Sequence, residues 1–508
     1  MTRAGLCLSA LALCVCPALA GAQAADGALE VPRSAIDWLN EVTPEEALGE
    51  DALSLETPIT QSAATPAVEA KPLAGDDGAG LGLLGAAASG LPPTLWQGAT
   101  AEALTRALAA LPDEALQPVA SLRNRLLLAA AAAPFGFSEN GFAVYRAQRL
   151  VQLGFVSEAG ALLETLDPMT EEGFAVFFDL ALVNSSEDRA CAMLRADASL
   201  MQGLEARIFC LARTGDWNAA ALSLQTATLL GDIPPGMSEL LAQFLEPELA
   251  DAGAPDLGDA PVTPLALRLR EAIGEPLSTQ GLPRLFAHND LRAEMGWKAQ
   301  LEAAERLART GAVSPNLLLG LYTQRRPAAS GGVWDRASAI QALDEALTAG
   351  DARELGEALP QAWEAMAPLG LAPVLAAIAA PALDGEMKLP GRAAEIRDKL
   401  LFLSDRFEMT GAQAPAFWRA VSFGDVSDIS VSGALEAAIA RGFGADEPAP
   451  ATDNAAAPLG LRILKALGEI EAAAQGDLSS LAPALASLRA MGLESTARQA
   501  ALHLLIAP

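Results

Sequence analysis

The stretch ARTGDWNAA, residues 212–220, sets a glycine and an aspartate side by side between two runs of helix-forming residues. Glycine can end a helix in the left-handed conformation, and the aspartate after it can accept from the open N–H groups of the next helix. Two residues then suffice for the joint, which predicts antiparallel neighbouring helices. The same form recurs in LTAGDARELG (347–356) and AAQGDLSSLA (473–482). A looser set, QLGFVSEAG (152–160), PLGLAPV (368–374) and AMGLESTA (490–497), keeps the glycine turn with different caps.

Between the joints the apolar period is helical. In DLSSLAPALASLRAMG (477–492), Leu478, Leu481, Leu485, Leu488 and Met491 follow a 3-4-3-3 spacing, which places them on one helix face. Composition agrees: 51% of residues are apolar but only 5% aromatic, so the bulk is Ala and Leu, strong helix formers. With 508 residues the chain exceeds one core of ordinary size. The expected fold class is all-α, with stacked antiparallel helix pairs forming an α-solenoid behind a disordered N-terminal tether.

The joints and CLARTGDWNAAALSLQTATLLG (210–231) make residues 95–508 resemble tetratricopeptide-like and related α-solenoid repeat proteins in architecture. The Trp–Leu–Gly–Tyr signature of the standard repeat is not visible. The resemblance implies a protein that binds other proteins, and it carries no site residue with it.

Two Pro-, Gly- and acid-rich breaks, DAGAPDLGDAPVTP (251–264) and GADEPAPATDNAAAPLG (444–460), divide the array. The expected organisation is a first helical block over 94–250, a second over 262–443 and a C-terminal helical cap over 457–508. Residues 1–24 read as a signal peptide: Arg3, the apolar run LCLSALALCV, then ALA (18–20) or AQA (22–24) as the cleavage site. No later apolar run has spanning length. The nearest, LGLAPVLAAIAAPAL (369–383), contains two prolines. The expected location is periplasmic. Cys14 follows Leu13 and Cys16 follows Val15, where a lipoprotein signal needs small residues, which argues against a lipid anchor.

Residues 25–93 read as a short docking helix, VPRSAIDWLNEV (31–42), on a flexible linker rich in Pro, Gly, Ala and acid. Ile36, Trp38 and Leu39 are its candidate docking residues. It either folds back on its own body or is presented to a partner. Outside the signal only Cys191 and Cys210 remain. In a hairpin over 186–213 they lie equidistant from its turn, which suits one disulfide. A loop of that size is worth roughly 3 kcal/mol in the chain-entropy model.

The net charge of −29 argues against nucleic acid as a partner. Of the 34 cations only five are lysine, which fits either a codon bias or guanidinium recognition of anions. His288 and His503 are the two histidines. They cannot build a multi-histidine zinc site, and no nucleophile elbow or Walker sequence is present. GLGLLG (80–85) matches a dinucleotide fingerprint in form only, because a linker precedes it rather than a strand. LRAEMGWKAQ (291–300) is the nearest approach to the catalytic region of a lytic transglycosylase, and it reads as one amphipathic helix. No catalytic residue, metal or cofactor is expected.

One stretch departs from the Ala/Leu background. LYTQRRPAASGGVWDR (321–336) gathers three arginines, two adjacent glycines, a tyrosine and a tryptophan. Leu318, Leu321 and Tyr322 would end one helix on its inner face, and Pro327 would break it. Arg325, Arg326, Ser330, Gly331, Gly332, Trp334 and Arg336 form a candidate pocket for a glycan or small anion at the next helix N-terminus. The alternative is an interhelix loop whose arginines pair with some of the 63 acids. The functional expectation is a non-enzymatic scaffold or accessory subunit with protein partners in the cell envelope. Ligand binding at 322–336 comes second and a peptidoglycan-active enzyme third.

Overall fold

A computed structural model describes residues 80–506, apart from 202, 247, 249–252, 254, 259–260, 428 and 445–456. The signal, the docking helix with Ile36, Trp38 and Leu39, and most of the linker lie outside these residues.

The glycine joints form as their residues require. Gly215 (φ 89°), Gly350 (φ 66°) and Gly476 (φ 99°) are all left-handed, as are Gly154, Gly370 and Gly492. Asp216 caps its helix through Ala219 N, and Asp351 caps through Arg353 N and Glu354 N. The third joint differs. Asp477 accepts from Ser479 N at 3.0 Å, and the helix starts only at Leu481. Pro483 lacks an N–H and fits only in a first turn, so the helix cannot begin as early as 477. Leu481, Leu485 and Leu488 are buried along it, and Leu478 and Met491 pack at its margins.

The described residues are all-α, with 23 α-helices and no strand. The first stretch carries α1 (Ala86–Ser89), α2 (Ala101–Ala109), α3 (Gln117–Leu128), α4 (Glu139–Leu153), α5 (Val156–Leu163), α6 (Glu171–Val183), α7 (Glu187–Ala196), α8 (Leu204–Arg213), α9 (Trp217–Leu230) and α10 (Pro235–Leu245). The second carries α11 (Pro264–Ala272), α12 (Ala287–Asp290), α13 (Trp297–Ala308), α14 (Pro315–Thr323), α15 (Val333–Ala349), α16 (Ala352–Met366), α17 (Ala372–Ala379), α18 (Gly391–Phe402), α19 (Ala416–Phe423) and α20 (Ala434–Phe443). The last carries α21 (Leu459–Ala474), α22 (Leu481–Ala490) and α23 (Glu494–Ile506). Thr100, Ser138, Thr170, Thr263 and Ser314 each supply a side-chain cap, satisfying N–H groups that a first helical turn leaves open. Helices joined by a glycine turn pack on each other: α4 on α5, α8 on α9, α15 on α16, α22 on α23. Small residues such as Ala220, Ala337 and Ala362 are buried in these seams, letting backbones approach.

Stacking of neighbours is not the only source of contact. α21 packs on α2 and α3, and α23 packs on α3, so the first and last helices meet. Gly460 N donates to Leu95 O at 3.0 Å, and a Cβ on Gly460 would lie 2.2 Å from the Trp96 ring. The second stretch also meets the first: Thr310 donates to Leu153 O at 2.8 Å, and α11 packs on α6.

Two expectations change. Residues 80–93, assigned to the linker, pack against α3 and the strand-like segment after it. Leu83 N and Leu84 N both donate to Leu128 O at 2.9 Å, and buried Arg146 donates to Leu81 O at 2.6 Å. The glycines permit this approach, since a Cβ on Gly82 would lie 2.4 Å from the Ala130 backbone. LRAEMGWKAQ is not one helix either. Residues 291–296 form turns, and α13 starts at Trp297 with Gly296 before it. Arg292 holds the turn, donating to Glu271 at 2.7 Å while its carbonyl accepts from Gln300 at 2.8 Å.

Candidate functional site

The 321–336 stretch splits into an inward half and an outward half. α14 ends at Thr323 and α15 starts at Val333, so the loop spans the connection, as its Pro and Gly content requires. Tyr322 is fully buried and donates to Glu305 Oε1 at 2.7 Å. Arg336 grips the same carboxylate with two bonds, at 2.7 and 2.6 Å. Burial works to lower the Arg336 guanidinium, but Glu305 outweighs it and holds the group above its ordinary value. Burial, reinforced by Glu305, raises the Tyr322 phenol. Trp334 packs on Trp297 with ring centroids 5.1 Å apart, and Trp297 donates to Leu321 O at 2.8 Å. These groups clamp α13, α14 and α15 together.

Arg325, Arg326, Ser330, Gly331 and Gly332 are exposed on the outer half. Arg336 does not join them. Gly331 N already donates to Asp335 Oδ1 at 2.8 Å, so an incoming anion would have to displace a carboxylate. Arg325 and Arg326 therefore face solvent beside an occupied helix N-terminus.

Other arginines stitch distant segments together. Arg284 reaches Asp113 at 3.0 Å and Glu114 at 2.8 Å. Arg268 reaches buried Glu187 at 3.0 Å and Glu271 at 2.9 Å. The planar fork of arginine suits such two-pronged contacts better than lysine does. Both histidines are packed in. His288 Nε2 lies 2.6 Å from Gly154 O. Burial pushes His503 down to about 4, so it is neutral near pH 7. Glu294 is exposed in its turn, 3.4 Å from Arg292. No group of three or more His, Cys, Asp or Glu could hold a metal ion among the described residues.

Cys191 on α7 and Cys210 on α8 form a disulfide with their Cα atoms 5.1 Å apart. It crosses the hairpin whose turn includes a 3₁₀ segment over Ala198–Leu200.

Two surfaces went unremarked in the sequence. The first is α9, which has no charged residue in WNAAALSLQTATLL. It buries Ala220, Leu224 and Ala227 on one narrow face. Its other side exposes Leu222, Leu229 and Leu230, with Leu229 87% exposed, while half-exposed Trp217 lies on the Leu224 side and packs on Phe244 with ring centroids 6.1 Å apart. A groove of about 1000 Å³ runs between α9 and α10, edged by Asp232 and Glu239. The second is a cleft of about 780 Å³ where α3, the α13–α14 connection, α17 and the C-terminal helices converge. Gln117, Ser121, Asn124 and Arg125 line it from α3, and Glu471 and His503 line it from the last helices. Glu471 accepts from Leu116 N at 2.7 Å; burial raises its carboxyl, against the pull of that bond and of Arg123.

No helix of the described residues is long and apolar enough to cross a membrane. No family model, curated protein or solved structure matches the chain.

Proposed function

We propose that this chain is a non-enzymatic, exported helical-repeat protein. It acts in the periplasm as an interaction scaffold or accessory subunit of an envelope assembly, with α9 as its docking face. The reading treats the helix pairs as stacked repeats of the tetratricopeptide-like kind, whose use is to present long surfaces to other chains. One observation carries it: an uncharged helix exposing three leucines on one side, on a protein of net charge −29. Contiguous exposed apolar surface of this kind marks an interaction site in a folded protein. Asp216, Asp232 and Glu239 rim the face, so the partner of matching chemistry is a helix with an apolar stripe and basic flanks. The disulfide supports an oxidising compartment, where such bonds persist. The helix expected over 31–42 would add a second, tethered contact and raise the local concentration of the partner.

The test is in-cell photo-crosslinking from positions 222 and 229, with position 353 on α16 as an exposed control. One envelope protein should be captured from 222 and 229 but not from 353, and Leu229→Glu should abolish capture from 222. Equal capture from all three positions, or none from any, would remove α9 as the docking face. A chain lacking residues 31–42 should capture the same protein with lower yield.

A further inference from the structure

The cleft between α3 and the last helices holds a guanidinium without a partner. Arg125 lies on α3, and no hydrogen bond or ion pair reaches its side chain among the described residues; its buried Nε has no acceptor. Its neighbours are all engaged. Arg123 donates to Pro112 O at 2.7 Å and to Asp113 O at 3.2 Å. Arg309 and Arg284 share Glu114, and Arg149 approaches Asp113. The nearby acids are committed as well, Glu114 to those arginines and Glu471 to Leu116 N. Arg146 and Arg306 also lack an acid, but backbone carbonyls hold them, whereas Arg125 has neither.

The walls give the rest of the ligand. Leu84, Leu128, Phe155, Trp363, Val374 and Ile506 face the cleft, so most of its lining is apolar. Asn124 and Ser121, within one turn of Arg125 on α3, can donate to an anion held by the guanidinium. The volume, about 780 Å³, falls inside the roughly 300–1,000 Å³ usual for small-molecule sites. A dianion such as phosphate would find only one free cation, whereas a single carboxylate would be matched in charge and in fork geometry.

We infer that this cleft binds a long-chain fatty acid, its carboxylate on Arg125 and its acyl chain along the apolar wall toward Trp363 and Ile506. The site is separate from α9 and does not depend on the scaffold reading.

Isothermal titration of the folded, disulfide-bonded protein with laurate tests it, with 1-dodecanol as the uncharged analogue. Laurate should bind one to one. Arg125→Gln should weaken laurate at least tenfold and leave dodecanol within twofold, and Arg125→Lys should recover part of the loss. Val374→Trp, which adds bulk to the apolar lining of the cleft, should weaken both probes while Arg125 stays in place. Far-UV circular dichroism checks that each variant is folded. Absence of laurate binding, or equal laurate binding to Arg125→Gln, overturns the site. A Leu-rich tetrapeptide with a free C-terminal carboxylate serves as the competing source of the same chemistry. If it binds more tightly than laurate and its amide does not bind, the acyl-chain assignment is wrong.

Discussion

The α8–α9 and α15–α16 pairs are built on the same joint and meet different surroundings. Both turn at a left-handed glycine followed by an aspartate cap. In the second pair, Ile340 and Leu343 on α15 and Leu355 and Leu359 on α16 are at most 1% exposed. Behind α15 stand α13 and α14, bound to it through Glu305, Tyr322 and Arg336. In the first pair, α9 leaves Leu222, Leu229 and Leu230 between 65% and 87% exposed, because nothing among the described residues covers its outer face. The joint decides which helices pair; a third element decides whether the pair is interior or surface. One region is thus a clamp and the other an apolar face left open among the described residues.

The clamp is the place for the largest effect. Glu305→Ala leaves Arg336 and Tyr322 without their shared acceptor in a buried site, at a cost of about 3–5 kcal/mol. Urea unfolding followed by circular dichroism should show this as a lower midpoint. Replacing the pair together, Glu305→Leu with Arg336→Met, should recover part of the loss, since apolar groups of similar size need no partner, while the Tyr322 hydroxyl keeps only Met366 Sδ, at 3.5 Å. A double variant as unstable as Glu305→Ala would mean that the network's geometry, rather than its pairing, holds α13 to α15.

What the sequence disclosed follows from the range of each interaction. A cap or a glycine turn acts within four residues, so the joints, the all-α class and the cysteine hairpin could be read locally. The clamp links residues 31 apart in sequence, His288 reaches Gly154 over 134, and Glu471 reaches Leu116 over 355. No periodicity encodes such partners. The arginines and aromatics of 321–336 marked that stretch as unusual, yet the reason is largely internal: Tyr322, Trp334 and Arg336 turn inward. GLGLLG looked like low-complexity linker because its glycines matter only against a backbone 48 residues away, at Ala130. On α3, Gln117, Ser121, Asn124 and Arg125 form a polar stripe that reads as a solvent face until the last helices are placed opposite it. On α9, the absence of charge was visible in the sequence, but an uncharged helix reads equally well as a buried one.

The disulfide sits inside the pair that leads to α9, and removing it sharpens the comparison. Replacing Cys191 and Cys210 with Ser should cost about 3 kcal/mol by freeing a loop of 19 residues in the unfolded chain. Hydrogen exchange should place the loss in α7–α9 and leave α13–α16 protected. Loss of protection spread evenly through both regions would show that they unfold as one unit.

Asp179 on α6 gives a smaller, pH-dependent effect. Burial raises its carboxyl to about 7, and no hydrogen bond or ion pair offsets this among the described residues. A folded-state value above the unfolded one means that the folded chain binds the proton more tightly. The stability this supplies is complete below the unfolded value near 3.8 and declines as pH rises through about 7. Asp179→Asn removes the titration. Relative to the native chain it should gain roughly 1–2 kcal/mol between pH 5 and pH 8.5, discounted for the water that still reaches a partly buried group. Thermal melts at the two pH values check the sign, and a constant difference between the chains would refute it.

Leu229→Glu should have the smallest effect on stability and the largest on association. At 87% exposure the side chain contributes little to the fold, so the unfolding midpoint should move by no more than about 0.5 kcal/mol. Leu343→Glu at the matching pair is the control. Leu343 is 1% exposed, and an unpaired carboxylate there should prevent folding or cost more than about 4 kcal/mol. The two substitutions are chemically identical and differ only in whether a third element covers the helix. If Leu229→Glu left the fold intact but abolished crosslinking from position 222, the exposed leucines of α9 would be retained for a partner rather than for the core. If it destabilised the chain as Leu343→Glu should, α9 would be covered in solution by the protein's own residues, and the docking face would have to be sought elsewhere.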